Sequence, residues 1–222
     1  MLPKVILHNA VSVDGRMDNI SPDLAVFYKL AATWKEGATV VGSNTLLSAP
    51  DEIPPETEEA FKPITVDPED KRPYLVVPDS RGRLKSWHYW RSLPYWKKPI
   101  VLCSNTTPKE HLEYLKKRHV EYIVAGEDHV DMRKALEELS RIYGVNTVRL
   151  DSGGTLNGVL LREGLVDEIS VMVIPTLVGG TTPTSIFIGP DLTSEKGVLK
   201  LKLIHFEKLE DDYIWLRYEV VG

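Results

Sequence analysis

One stretch, residues 148–180, limits what this chain can fold into more than any other: VRLDSGGTLNGVLLREGLVDEISVMVIPTLVGG. Residues 145–150 read as a strand that runs into Asp151-Ser152-Gly153-Gly154. Thr155 then opens an amphipathic helix marked by Leu156, Val159 and Leu160, and Gly164 stops it. Glycine ends helices because it takes the left-handed conformation without a Cβ clash. Residues 166–174 follow as a strand apolar on both faces, the pattern of a strand buried inside a sheet.

The turn in this unit suits an anion. Two glycines let backbone approach a ligand closely. The first N–H groups of the helix have no internal partner and carry partial positive charge. Thr155 adds a hydroxyl. Gly153-Gly154 taken alone is equally a tight turn, and neither a G-x-G-x-x-G fingerprint nor a Walker lysine accompanies it. A second turn of this kind is Gly42-Ser43-Asn44-Thr45, which follows a predicted strand at 38–41; its bland reading is a simple cap by Ser43. A third follows the predicted strand at 72–77, where Pro78-Asp79-Ser80-Arg81-Gly82-Arg83 is either an anion site or a solvated basic turn.

Elsewhere strands and helices alternate. Residues 4–10 form a first strand, and Ser21-Pro22 opens a helix with serine as cap and proline at its first position. Leu24, Phe27, Tyr28 and Ala31 make its core stripe. Strands at 99–103 and 121–125 alternate with helices at 108–118 and 131–143, and alternating apolar and charged strands at 199–209 and 213–220 close the chain as an antiparallel hairpin. This order predicts an α/β fold with parallel neighbours, whose binding sites lie at the carboxyl ends of strands.

Composition narrows the function. The chain has 222 residues, enough for one domain with a sizeable core. Its net charge of −5 disfavours general nucleic-acid binding. The single Cys103 excludes an intrachain disulfide and a cysteine zinc cage, and its place at the end of an apolar run predicts a buried thiol; no metal site is expected. Absence of a signal-like or membrane-spanning segment makes the cytoplasm the expected location. The crowd Trp87, Tyr89, Trp90, Tyr95 and Trp96 is read as packing or subunit contact, with base stacking as the alternative.

The string Asp151-Ser152-Gly153-Gly154-Thr155-Leu156, then Gly164-Leu165-Val166-Asp167-Glu168, then Gly179-Gly180, resembles the signature of the riboflavin-pathway pyrimidine reductases. So do Ser12-Val13-Asp14-Gly15-Arg16 at the end of the first strand, Val41-Gly42 with Thr45, and Asp79-Ser80. The resemblance covers nearly the whole chain. It implies a dihydrofolate-reductase-like three-layer fold: a central, mostly parallel mixed sheet, helices on both faces and a C-terminal antiparallel hairpin, in one reductase domain spanning 1–222. It also implies NADPH as cofactor, with Gly42, Thr45, Ser80, Arg81, Gly153, Gly154, Thr155 and Leu156 around it. Asp151, His8 and Asn9 fall at the implied catalytic positions, and Asp14 and Asp151 at the substrate; read from the residues alone, His8 on its apolar strand is a core histidine, and Asp14 and Asp151 are turn residues. The implied reaction is hydride transfer to C1′ of a phosphorylated ribosylaminopyrimidine, by a homodimer that needs no membrane or nucleic acid.

At residues 48–71 the chain departs from the family pattern. Ala49 replaces an acid, the phosphate-binding arginine is missing, and the segment reads as an inserted loop or lid. That departure leaves room for another substrate, such as a dihydropterin, or for an NADP-binding protein without turnover. A zinc deaminase would need Pro-Cys-x-x-Cys, which one cysteine cannot supply.

Overall fold

The computed structural model describes residues 1–48, 52–181 and 184–221. Its strands are β1 (Lys4–Ser12), β2 (Ala38–Val40), β3 (Tyr74–Pro78), β4 (Pro99–Cys103), β5 (Glu121–Val124), β6 (Thr147–Leu150), β7 (Glu168–Ile174), β8 (Lys200–Lys208) and β9 (Ile214–Val221). Its α-helices are α1 (Leu24–Ala31), α2 (Ser43–Ser48), α3 (Trp87–Trp90), α4 (Lys109–Lys117), α5 (Met132–Tyr143) and α6 (Gly154–Arg162). The chain divides into two compact units: residues 1–3 with 36–148, and residues 4–35 with 149–222. None of the described helices is long and apolar enough to cross a membrane.

In the first unit β2, β3, β4 and β5 pair in parallel, each with the next. The α/β alternation in the sequence demands this, because a helix between two strands brings the chain back to the same end of the sheet. Leu75, Val77 and Val101 are buried completely, and each contributes at most about 2–3 kcal/mol. Trp87 and Trp90 pack against them, with Tyr89 and Trp96 partly buried on the same cluster. Four of the five crowded aromatics therefore pack into or against the core, and Tyr95 alone of them is exposed. Cys103 is buried in this cluster, and burial pushes its thiol up to about 12, where it is inert.

The expected lid is fastened to this unit. Ala49, Pro50 and Asp51 lie outside the described residues. Beyond them, Glu56 takes both arms of the Arg118 guanidinium at 2.6 Å, and His88 donates to Pro54 O at 2.8 Å. Arg91 reaches Ala60 O and Lys62 O at 2.6 Å each. Arg72 forks onto Asp70 and donates to Pro94 O at 3.0 Å, so it is used internally. Several of these bonds are charge-assisted, and they tie the segment to this unit.

In the second unit β1 and β7 are parallel, while β7–β9 and β8–β9 are antiparallel. Parallel pairing thus predominates and the hairpin closes the chain, as the sequence implied. The acids of Gly-Leu-Val-Asp-Glu explain part of this register. Asp167 accepts from Val5 N at 2.7 Å, and buried Glu168 gathers Lys4 Nζ (2.7 Å), Trp34 Nε1 (3.1 Å) and Arg217 Nε (2.6 Å). Burial alone would raise the Glu168 carboxyl, yet the Arg217 and Lys4 bonds outweigh it and hold it low. One carboxylate so ties β1, β7, β9 and Trp34 together.

Helix α1 begins later than the sequence suggested. Asp23, not Ser21, is the cap, accepting from Ala25 N at 2.8 Å and Val26 N at 3.2 Å. Phe27, Leu30 and Ala31 are its buried face, whereas Leu24 and Tyr28 are exposed. The cap of this eight-residue helix lies two residues past the predicted one, and its inward stripe of Phe27, Leu30 and Ala31 is rotated from the predicted Leu24, Phe27, Tyr28 and Ala31.

Candidate active site

In the second unit, β6 ends in the turn Asp151-Ser152-Gly153-Gly154 that opens α6. Gly153 is the helix cap, extended at φ −76°. A Cβ built on it would meet nothing within 4 Å, so it faces open space. Gly154 differs: a Cβ there would lie 2.1 Å from Ser185 O, and one on Gly158 1.8 Å from Ile188 O. Ile188 N donates to Gly154 O at 2.9 Å. The two helix glycines, one turn apart, therefore admit the chain's own segment 185–188. Of the sequence pair, only Gly153 is left facing outward.

Buried amides hold this turn. Asn157 Nδ2 lies 2.9 Å from Asn9 Oδ1, 2.9 Å from Ile186 O and 3.3 Å from Ser152 O, and Asn9 Nδ2 donates to Ser152 O at 3.0 Å. Asn9 thus acts on the backbone beside Asp151. Asp151 is half-buried and accepts from Arg149 Nη1 at 3.1 Å. Thr155 is exposed and Leu156 half-buried in the first turn of α6. Sequence reading missed Asn157 and Arg149; their only signal was a polar residue on an apolar face, which names no role.

His8 leaves the list of reacting groups. It is fully buried, stacked on Phe27 with ring centroids 4.2 Å apart. Trp215 Nε1 donates to Ser170 Oγ at 2.8 Å, and Ser170 Oγ stands 2.9 Å from His8 Nδ1. His8 Nε2 faces Phe27 O at 3.2 Å, a carbonyl that can only accept. The proton therefore sits on Nε2, and Ser170 donates to Nδ1. Burial pushes His8 down to about 4, against the Phe27 bond, with Arg149 adding to the fall. It is a neutral core histidine.

Asp14 is likewise committed. Its carboxylate accepts from Ser12 Oγ (2.6 Å), Val178 N (3.1 Å) and Gly179 N (2.7 Å), which hold it far below the usual carboxylate range. Arg16 donates to Gly180 O at 2.6 Å. Gly179 and Gly180, at φ +71° and +84°, make the loop that these two residues grip. The motif residues at the end of β1 thus fasten a neighbouring loop rather than present a free acid.

In the first unit a recess of about 280 Å³ is lined by Ser43, Asn44, Pro78, Asp79, Ser80, Arg81 and Arg83. It lies at the carboxyl end of β3. Arg83 Nη2 reaches Asn44 Oδ1, and Ser43 Oγ at 3.3 Å. Buried Asp79 accepts from Arg83 N at 3.0 Å and Leu84 N at 2.9 Å, which sets the turn. Ser80 and Arg81 both line this recess, together with Ser43, Asn44 and Arg83. Gly42 and Thr45 are not among the lining residues; Gly42 O instead accepts from Thr45 N at 3.0 Å in the first turn of α2. Two guanidinium groups, two hydroxyls and an amide fit a phosphate monoester. A larger recess of about 460 Å³ lies at the opposite ends of β4 and β5, where Lys98 and Tyr143 already engage Glu121.

Comparison with known proteins identifies the family. The model of the RibD C-terminal domain family matches residues 3–215. The chain is 30% identical, over all of both chains, to the 2,5-diamino-6-ribosylamino-4(3H)-pyrimidinone 5′-phosphate reductase of Methanothermobacter thermautotrophicus. It is 29% identical to the reductase of the same name from Archaeoglobus fulgidus, over 92% of this chain and 94% of that one. The structure of Acinetobacter baumannii RibD superposes with a TM-score of 0.70 at 22% identity, over 99% of this chain and 58% of the longer RibD chain. The chain belongs to the RibD C-terminal domain family, the reductases of riboflavin biosynthesis.

Proposed function

We propose that this enzyme reduces 2,5-diamino-6-ribosylamino-4(3H)-pyrimidinone 5′-phosphate to its ribitylamino form with NADPH. The end-to-end likeness to the archaeal reductase of that name carries this reading. When bound, the nicotinamide cofactor would supply the hydride, which the ring-opened imine form of the substrate takes at C1′ while its nitrogen takes a proton. The recess of Ser43, Ser80, Arg81 and Arg83 is assigned to the 2′-phosphate that distinguishes NADPH from NADH, because guanidinium forks match phosphate oxygens. The outward-facing Gly153, with Thr155 and Leu156 beyond it, is assigned to the cofactor diphosphate at the start of α6. Asp151 is assigned to the ribose hydroxyls, and Arg149 fixes its carboxylate. Asn9 and Asn157 keep the Ser152 carbonyl, and with it the whole turn, in place. A phosphorylated biosynthetic intermediate as substrate fits a cytoplasmic enzyme.

The hairpin supports a homodimer. Leu203 pairs with Tyr218, but past the irregularity at Ile204 it is Phe206 that pairs with Leu216. The extra residue puts Leu201, Leu203 and Phe206 on one face with Ile214, Leu216, Tyr218 and Val220. Phe206 is 71% exposed, and Leu201, Leu203 and Ile214 are exposed beside it. A contiguous apolar face on a terminal strand is an aggregation hazard unless it is covered, and a second copy covers it with a matching surface.

The deciding experiment is oxidation of NADPH and of NADH with the diamino and the deaminated ribosylaminopyrimidine phosphates. Turnover of the diamino compound with NADPH is expected. Binding of NADPH with oxidation by neither pyrimidine would overturn the assignment.

A further inference from the structure

The arginine turn of the first unit rests on a buried polar support that the proposed reaction does not use. His111, in the first turn of α4, is almost completely buried. Its ring lies directly beneath Gly82: a Cβ on Gly82 would stand 2.6 Å from His111 Cγ. Gly82 also has φ +62°, so glycine is required twice over. Thr107, two residues before α4, donates to Ser80 O at 2.8 Å. Three successive features of the turn are thereby gripped from below: the Ser80 carbonyl by Thr107, the Gly82 α-carbon by His111, and the Arg83 and Leu84 amides by Asp79.

The chemistry of His111 is specific. Lys85 Nζ lies 3.0 Å from its Nδ1. An ammonium only donates, so Nδ1 accepts and the ring proton is on Nε2. Nε2 has no hydrogen-bond partner among the described residues; Asp79 Oδ2, 3.9 Å away, is its nearest carboxylate. The Tyr114 ring stacks on the imidazole at 5.8 Å, and the Lys85 ammonium lies 5.0 Å from that same ring. Lys85, Asp79 and Tyr114 are thus the titratable groups facing His111. Burial and then the Lys85 charge lower its affinity for a second proton, against the pull of Asp79. Along 81–86, Arg81, Arg83 and Lys85 are exposed while Gly82, Leu84 and Ser86 are buried. Three cations therefore share the outer side of an alternating segment whose inner side sits on His111.

We propose that neutral His111 is a positioning residue of the anion recess: by holding Lys85 and supporting Gly82 it fixes the backbone that presents Arg81 and Arg83 to the 2′-phosphate of NADP(H). This rests on the recess being the 2′-phosphate site. A charged imidazole would face the Lys85 ammonium across 3.0 Å, so only the neutral ring can do both tasks.

The test is calorimetric binding of NADP⁺ and NAD⁺ to the full chain and to His111→Leu, His111→Asn, Lys85→Met and Arg83→Gln. His111→Leu keeps the volume and removes the acceptor. It is expected to weaken NADP⁺ roughly tenfold and NAD⁺ by less than about twofold, the equivalent of one misplaced charge-assisted bond. The Asn variant, whose amide oxygen can accept from Lys85, is expected to restore most of the NADP⁺ preference, which a loss of general stability would not do. Lys85→Met keeps the test open if the Leu variant fails to fold, and is expected to lower the same ratio. An unchanged NADP⁺/NAD⁺ ratio in the His111 and Lys85 variants, with a reduced ratio in Arg83→Gln, overturns the role of His111 and leaves the recess assignment standing. An unchanged ratio in Arg83→Gln as well refutes the recess assignment itself.

Discussion

Replacing Gly158 by alanine should destabilise the protein, although helix propensity says the reverse. In an open helix the change is worth about 1 kcal/mol in favour of alanine. Here the new methyl would stand 1.8 Å from Ile188 O and 2.9 Å from Ile188 C. A carbon beside a carbonyl oxygen needs about 3.3 Å, so segment 185–188 must move by roughly 1.5 Å. That shift breaks Ile188 N–H to Gly154 O and Asn157 Nδ2 to Ile186 O, both 2.9 Å. Each loss costs about 1–2.5 kcal/mol where the groups stay buried, so the net effect is a destabilisation of roughly 1–4 kcal/mol. Urea titration should show a lower midpoint at unchanged slope, and hydrogen exchange should show lost protection at the Ile188 amide. Gly153→Ser is the control: its site is open and its backbone extended, so stability holds while NADPH binding weakens. A Gly158→Ala protein as stable as the parent, with Ile188 still protected, would refute the reasoning.

Three further outcomes follow from the same geometry. His8 is held near 4 when folded and returns to about 6.5 when unfolded, so the unfolded chain binds the extra proton between those values; stability from this group is intact above pH 6.5 and falls by about 3 kcal/mol as pH drops to 4. His8→Gln should flatten that slope in a pH series of urea midpoints, and an unaltered slope would show that His8 is not the group responsible. Glu168→Gln leaves Arg217 and Lys4 without their carboxylate and should cost about 3 kcal/mol, read as a lowered Tm; a change under about 0.5 kcal/mol would mean the buried cluster contributes nothing. Phe206→Lys puts a charge in the middle of the exposed hairpin face and should yield monomers in sedimentation, whereas a persistent dimer would place the interface elsewhere.

The sequence by itself determined the order of the strands and of the longer helices, because alternation and period are local properties, while the short helices α2 and α3 were not read from it. It placed β6, the turn at 151–154, α6 and β7 in succession, and it marked the hairpin at the C-terminus. It also pointed to the family, since the string that carries Asp151, Gly153, Gly154, Gly164 and Glu168 resembles the family signature. What it could not determine was which side of each residue is filled. Gly153 and Gly154 are identical in sequence, yet one faces open space and the other the backbone of Ser185, thirty-one positions on. His8 and Asp14 look like site residues because they fall at or beside the end of the first strand, in the stretch that resembles the family's opening. Only the fold supplies Ser170 and Phe27 to the first and the amides of 178–179 to the second. His111, Asn157 and Arg149 carried no motif, and they gained meaning when packing set Gly82, Ser152 and Asp151 against them. Local pattern depends on neighbours in the chain, whereas burial and hydrogen-bond partnership depend on neighbours in space.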